Sequence, residues 1–188
     1  MKKGLIVGGV IVGVILLVVM MFSGTYNSLV SMEEEVDGKL ADISVQLERR
    51  ANLIPNLVSS VKGYMSHEQA AIDSVTKARQ NLISADDVED QAEANQELTN
   101  ALNNLFVIVE NYPDLKANTN FIQLQDELAG TENRIAVARK DYNEAVKNYN
   151  KTIKSFPKNI LAELFDFEEK EYFEAKEISN EVPEVSFD

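Results

Sequence analysis

The sequence predicts an all-α protein, with a single N-terminal transmembrane helix continuing into an elongated antiparallel helical bundle of three to four helices. Three observations lead there. Residues Gly4 to Phe22 form a 19-residue run without a charged side chain. Beyond it, apolar residues recur at steps of three, four or seven, which places them on one helix face. The chain has only 4 prolines and 8 glycines, and half of the glycines lie in the apolar run. No Val/Ile/Phe stretch alternates with period two, so no sheet is expected.

As a helix, the apolar run spans about 28 Å, close to the ~30 Å hydrocarbon core of a bilayer. It exceeds the ~7–15 apolar residues of a cleaved signal peptide. Met21-Phe22-Ser23-Gly24-Thr25 is also a poor small-x-small cleavage site, so an uncleaved signal anchor is expected. Lys2 and Lys3 precede the run, whereas Glu33, Glu34, Glu35 and Asp37 follow it with only Lys39. The positive-inside rule then puts the N-terminus in the cytoplasm and the bundle outside it. The run holds Gly4-xxx-Gly8 and Gly9-xxx-Gly13, and small residues four apart let two membrane helices approach closely. These four glycines are the candidate helix-packing residues of a homo-oligomer. The expected division is 1–3 cytoplasmic, 4–23 transmembrane, 24–165 bundle and 166–188 acidic tail.

The first bundle stretch places Leu29, Val36, Leu40, Ile43, Leu47, Ala51, Ile54, Val58 and Val61 on one face. No proline interrupts its junction with the membrane segment, so the two are expected to form one helix. Pro55 removes a hydrogen bond to the carbonyl of Ala51 and should kink the helix there. The stretch ends near Gly63-Tyr64. Ser66-His67-Glu68-Gln69 reads as a capping box, with Ser66 as N-cap, and the short turn makes the next helix antiparallel. Ile72, Val75 and Leu82 continue the stripe; Leu98, Leu102, Leu105 and Val109 resume it after Ser84-Ala85-Asp86. This second arm is expected as one long helix with a defect or as two helices in tandem, recapped by Asp86-x-x-Glu89.

Tyr112-Pro113-Asp114 stops the second arm. The third stripe runs through Phe121, Leu124, Leu128, Thr131, Ile135, Ala138, Tyr142, Ala145, Tyr149 and Phe156, close to a coiled-coil heptad. Gly130 inside it is read as a place where a neighbouring helix comes close. Asn159 to Phe165 should form a short helix. The tail from Glu163 to Asp188 holds ten acids and two lysines among five aromatics. It is expected to dock partly, near Tyr172-Phe173, and to be disordered after about Asn180.

Composition excludes most chemistry. The chain has no cysteine and one histidine, His67, so there is no disulfide framework, no thiolate and no two-histidine zinc site. The formal charge of -13 argues against nucleic acid as a partner. No phosphate loop, nucleophile elbow or EF-hand spacing is present. No catalytic, cofactor-binding or metal residue is therefore assigned, and the chain is expected not to be an enzyme. His67 beside Glu68 at a helix start is read as a capping or surface residue.

Several long motifs resemble the LemA family of bacterial membrane proteins. They include Tyr26-Asn27-Ser28-Leu29-Val30 and Leu47-Glu48-Arg49-Arg50-Ala51-Asn52-Leu53-Ile54-Pro55-Asn56-Leu57-Val58. Val61-Lys62-Gly63-Tyr64, Tyr112-Pro113-Asp114-Leu115-Lys116-Ala117-Asn118, Thr131-Glu132-Asn133-Arg134-Ile135 and Ala138-Arg139 extend the match over almost the whole chain. The resemblance implies a membrane-anchored helical bundle in a bacterial cell membrane. Some relatives are associated with magnetosome membranes, so membrane organisation is implied by analogy.

Two further sets of residues are singled out. Arg49, Arg50, Arg79, Glu132, Arg134 and Arg139 flank the stripes and form a candidate interhelical polar network. Tyr112, Pro113, Asp114, Leu115, Lys116 and Asn118 form a candidate partner loop, set against the plainer role of a hairpin cap. The expected function is a membrane-anchored, non-enzymatic scaffold that self-associates and organises other membrane or envelope proteins. The alternative is an extracytoplasmic binding module in envelope stress signalling.

Overall fold

The computed structural model describes residues 2–65 and 67–175, without side chains at 2–7, 10, 14 and 18. The described residues form six helices and no strand: α1 Lys2–Lys62, α2 Gln69–Ser84, α3 Val88–Val109, α4 Pro113–Lys116, α5 Thr119–Ile153 and α6 Lys158–Leu164. The all-α expectation holds, and α1 runs without a break from the apolar segment into the bundle. The chain divides into two compact units, Met1–Ile43 with Ala138–Glu171, and Ser44–Val137 with Tyr172–Asp188. Helices α1 and α5 contribute to both.

The unit of residues 44–137 is an up-down-up-down arrangement of the C-terminal part of α1, then α2, α3 and the N-terminal part of α5. Arg49 pairs with Glu127 and Gln46 with Arg134, so α1 and α5 run antiparallel. The Asn81–Glu97 hydrogen bond sits within an α2–α3 hairpin. That hairpin corrects the expected second arm. α2 and α3 are neither one helix nor a tandem pair; they fold back on each other.

Local chemistry makes the reversal. Ala85 closes α2 in an extended conformation, and Asp87 starts α3 by accepting a 2.7 Å bond from the Asp90 N–H. Asp87, one residue past the expected Asp86, is therefore the cap. At the start of α2, Glu68 holds the N-cap position without a side-chain cap bond, and the helix begins at Gln69. The expected Ser66 cap lies outside the described residues. The core of this unit includes Leu47, Ile54, Leu57, Val61, Val75, Leu98, Leu105, Phe121 and Ile135, each 5% exposed or less. Phe106 and Phe121 meet edge-on with ring centroids 6.2 Å apart.

The other unit joins the 24–43 part of α1 to the 138–153 part of α5, α6 and an extended segment up to Glu171. Leu29, Val36, Ile43, Tyr142, Val146, Tyr149, Ile153 and Leu161 are buried in it. α6 ends in a Schellman motif: Asp166 adopts a left-handed conformation at φ 56°, and the Phe167 N–H reaches back to the carbonyl of Ala162 at 2.9 Å. The chain then continues as an extended strap.

Two readings of single residues change. Gly130 does not admit a neighbouring helix; the nearest atoms to a side chain there would be those of the Arg134 guanidinium on the same helix, at 3.6 Å. Phe156 is not part of the third stripe. α5 ends at Ile153, and Phe156 is 82% exposed. The tail beyond residue 175, with its expected disorder, lies outside the described residues.

Candidate functional site

The described part of the apolar segment is entirely exposed within this chain: Ile11, Val12, Ile15, Leu16, Leu17, Val19, Met20 and Met21 are each more than half accessible. A core helix of a soluble protein would bury this surface. α1 is instead the one helix among the described residues long and apolar enough to cross a membrane. Positions Gly8, Gly9 and Gly13 have nothing within 4 Å of where a Cβ would stand, so this chain alone does not occupy the glycine face. Gly4 lies in α1, but its surroundings are not described.

The six residues of the anticipated polar network separate into distinct roles. Arg50 is 3% exposed in the core of the four-helix unit. Its Nη1 lies 2.6 Å from Asn95 Oδ1, 3.0 Å from Thr99 Oγ1 and 2.6 Å from Glu132 Oε2. Burial lowers the pKa of its guanidinium, and Glu132 opposes that shift. The group remains a cation, as arginine does in proteins. Its Nε has no hydrogen-bond partner among the described residues.

The remaining arginines act elsewhere. Arg49 pairs with Glu127 at 2.9 Å on the surface. Arg134 donates to Gln46 at 3.1 Å and to Thr131 at 3.3 Å. Arg79 sends its Nε to the carbonyl of Ala51 at 2.8 Å. That carbonyl is the one Pro55 leaves without its helical donor, so α2 supplies the bond that the proline removes. Arg139 belongs to the other unit.

The candidate partner loop is tied to the end of the bundle. Pro113–Lys116 forms a single helical turn with proline at its start, and Leu115 is fully buried. The Tyr112 hydroxyl donates to Glu68 at 3.2 Å, and Asn118 Nδ2 donates to the Tyr64 hydroxyl at 3.2 Å. Asn118 Oδ1 also accepts from the N–H groups of Asn120 and Phe121, starting α5. Burial and Glu68 both raise the Tyr112 pKa. Lys116 pairs with Glu110, while Pro113 and Asp114 are exposed. Glu68 thus joins two connections.

Sequence reasoning expected docking near Tyr172-Phe173 but did not name the strap's partners on α1 and α5. Asn150, 7% exposed, donates to the Lys170 carbonyl at 2.8 Å and accepts from the Lys170 N–H at 3.0 Å. The Tyr142 hydroxyl donates to the carbonyl of Glu171 at 2.8 Å. Lys170 reaches across to Glu33 at 2.8 Å and Asp37 at 3.8 Å, and hydrogen bonding to Glu33 raises its pKa. Burial raises the pKa of both Tyr142 and Tyr149. An asparagine at a core-facing position of α5 was the available signal. No group of three or more His, Cys, Asp or Glu among the described residues is arranged to hold a metal ion.

The pattern of an apolar anchor, a long first helix and a Tyr-Pro-Asp connection can be compared with known proteins. The sequence profile of the LemA family matches residues 39–187. The chain belongs to the LemA family. Among relatives, magnetosome protein MamQ 2 of Paramagnetospirillum magneticum is 28% identical over 177 aligned positions, covering 80% of this chain. Magnetosome protein MamQ of Magnetospirillum gryphiswaldense is 26% identical with the same coverage. The chain spans 65% of the length of each of these magnetosome relatives, just under two thirds. Protein LemA of Metamycoplasma hominis is 26% identical over 158 positions, covering 84% of this chain and 72% of that protein. This LemA-family chain is thus a membrane-associated, helical protein of the same type.

Proposed function

We propose that this LemA-family chain is a non-enzymatic scaffold, anchored by α1, that self-associates and organises other proteins of the membrane or envelope. The observation behind the reading is the exposed apolar part of α1 among the described residues, whose Gly8, Gly9 and Gly13 face open space. Close backbone approach by a second copy is what such a face permits in lipid. Glu68, beside the single histidine, accepts a hydrogen bond from Tyr112, and the Arg50 cluster is closed by the side chains around it. The magnetosome relatives lend the idea of membrane organisation by analogy. The lysines at positions 2 and 3 and the acids that follow the apolar run support a bundle on the extracytoplasmic side.

The test is the mass of the full-length chain in mild detergent, beside residues 24–188 alone and the Gly8→Leu/Gly13→Leu double variant. A defined assembly is expected for the full chain, with a smaller mass for the other two. An unchanged assembly in the double variant removes the glycine face from the proposal; a monomeric full-length chain removes self-association.

A second reading, an extracytoplasmic binding module, draws on an open polar groove of about 850 Å³ between α1 and α5, bordered by Asn56, Gln123, Asp126 and Arg134. Much of its rim is already engaged: Ser59 and Ser60 bond back to their own helix, and Arg49 holds Glu127. The scaffold is therefore preferred.

A further inference from the structure

α6 and its flanks present apolar side chains that the described residues leave largely exposed. The helix has an inner face, where Leu161 and Ala162 are buried. Ile160 and Leu164, four residues apart and hence on one side of the helix, are 52% and 64% exposed. Phe156 before the helix is 82% exposed, and Phe165 after it is 49% exposed. Phe156, Ile160 and Leu164 are thus largely exposed within positions 156–165, with Phe165 half-exposed at the end of the helix. The exposed Val45, Ile83, Val107, Ile122 and Val137 are spread along the sequence, at least 15 residues apart, and single exposures of that kind are ordinary.

The position of this surface along α1 is fixed by direct contact. The ring of Phe165 lies 4.9 Å from that of Tyr26, and Phe167 holds the same tyrosine at 5.8 Å. Phe22, Ser23, Tyr26, Asn27 and Phe165 line a common pocket. Phe22 is the last residue of the apolar run, and Tyr26 stands four residues further, about 6 Å along the helix axis. With α1 across a bilayer, the Phe165 end of this surface would stand near the boundary between headgroups and acyl chains. An amphipathic segment buries its apolar side at that boundary.

The charges beside it are mixed. Lys151, Lys154 and Lys158 lie close in sequence to Glu163, Asp166 and Glu168, and Lys154 is engaged by Glu169 at 2.7 Å. The attraction is accordingly apolar, with lysine stems able to extend their charges to water.

We propose that α6, with Phe156 and Phe165, rests in the lipid surface of the membrane that α1 spans, as a second membrane contact of the same chain. This rests on the anchored reading above and adds a site to it. It makes the lipid surface, rather than a protein, the partner of this face.

The chain is free of cysteine, so single nitroxide labels can be placed at Leu16, Val107, Ile160 and Leu164 of the full-length protein in phosphatidylcholine vesicles. Collision with oxygen reports lipid, and collision with a water-soluble nickel chelate reports water. The label at 16 is expected deep in lipid and that at 107 in water. The labels at 160 and 164 are expected at shallow depth, with nickel accessibility several-fold below that at 107. Labels at 160 and 164 as nickel-accessible as 107, with 16 in lipid, overturn the proposal and leave the anchor standing. Exclusion of both reagents at 160 and 164 also overturns it, because protein then covers the face. A label at 16 that collides freely with nickel overturns the anchor, and the second contact with it. As a second variant, Ile160→Asp/Leu164→Asp leaves the core side chains of α6 in place and should move a label at Phe156 into water.

Discussion

At the scale of single residues, two buried polar contacts make sharp predictions. Arg79 repairs the gap that Pro55 opens at the Ala51 carbonyl. Arg79→Met should therefore destabilise the bundle by about 1–2 kcal/mol, because a half-buried acceptor loses its donor. In a Pro55→Ala background the helix supplies its own N–H, and the same substitution should cost much less. Chemical unfolding of the four proteins, read as a cycle, measures that coupling. The Arg50 cluster predicts an asymmetry. Glu132→Ala leaves a cation buried among neutral partners and should cost about 3 kcal/mol. Arg50→Met leaves Glu132, whose side chain is 39% exposed and can hydrate, and should cost only about 1–2 kcal/mol. Equal losses in the unfolding midpoint would contradict this account. The sequence marked Arg50, Arg79 and Glu132 by their place beside the apolar stripes. It did not mark Asn95 or Thr99, because a neutral polar residue at a stripe position looks the same whether it meets a partner or water. Nor did it link Arg79 to Pro55, since that contact joins a side chain to a backbone group 28 residues away.

At the scale of elements, the strap ties its charge states to stability. Lys170, Tyr142 and Tyr149 all have pKa values raised above their ordinary 10.5, 10.0 and 10.0. A group whose folded pKa lies above its unfolded one stabilises the fold fully below the unfolded value and loses that contribution as pH climbs past it. The unit holding the strap should therefore be unaffected between pH 7 and about 9 and loosen above pH 10. The urea midpoint of the wild-type chain should fall between pH 9 and 11, and the fall should shrink in Lys170→Met. A midpoint flat to pH 11 would contradict this account for all three groups, and a fall unchanged in Lys170→Met would show that the Glu33–Lys170 pair adds nothing. Helix positions were legible because periodicity and proline dictate them; α6 was expected to start at Asn159 and starts at Lys158. The fold-back of α2 on α3 was not, because a helix pair and a tandem arm carry the same stripe. Only the short Ala85–Asp87 connection distinguishes them, and its weak signal reads equally well as a defect.

At the scale of the whole chain, the membrane-length apolar helix and the helical class were evident from composition and period alone, and the identity of any partner was not. Apolar runs and heptads are properties of one sequence, whereas a partner's surface is written in another. The side of the membrane can still be settled. A single cysteine at Val107, 71% exposed on α3, should react with an impermeant thiol reagent in intact cells. Protection until lysis would place the bundle in the cytoplasm and reverse the charge-bias argument.

The Glu33–Lys170 pair joins positions 137 residues apart. A ribosome adding about 5–20 residues per second needs roughly 7–27 s between making the first partner and the second. The α2–α3 hairpin can form early in that interval from local contacts. The apolar side of α1 at Leu29 and Val36 has no such local partner and must wait for α5 and the strap to be synthesised. This stretch follows directly on a segment bound for the bilayer. This stretch of the newborn chain therefore stays open to wrong association longest, and slowing translation between codons 40 and 170 should lengthen the time that surface is available to chaperones.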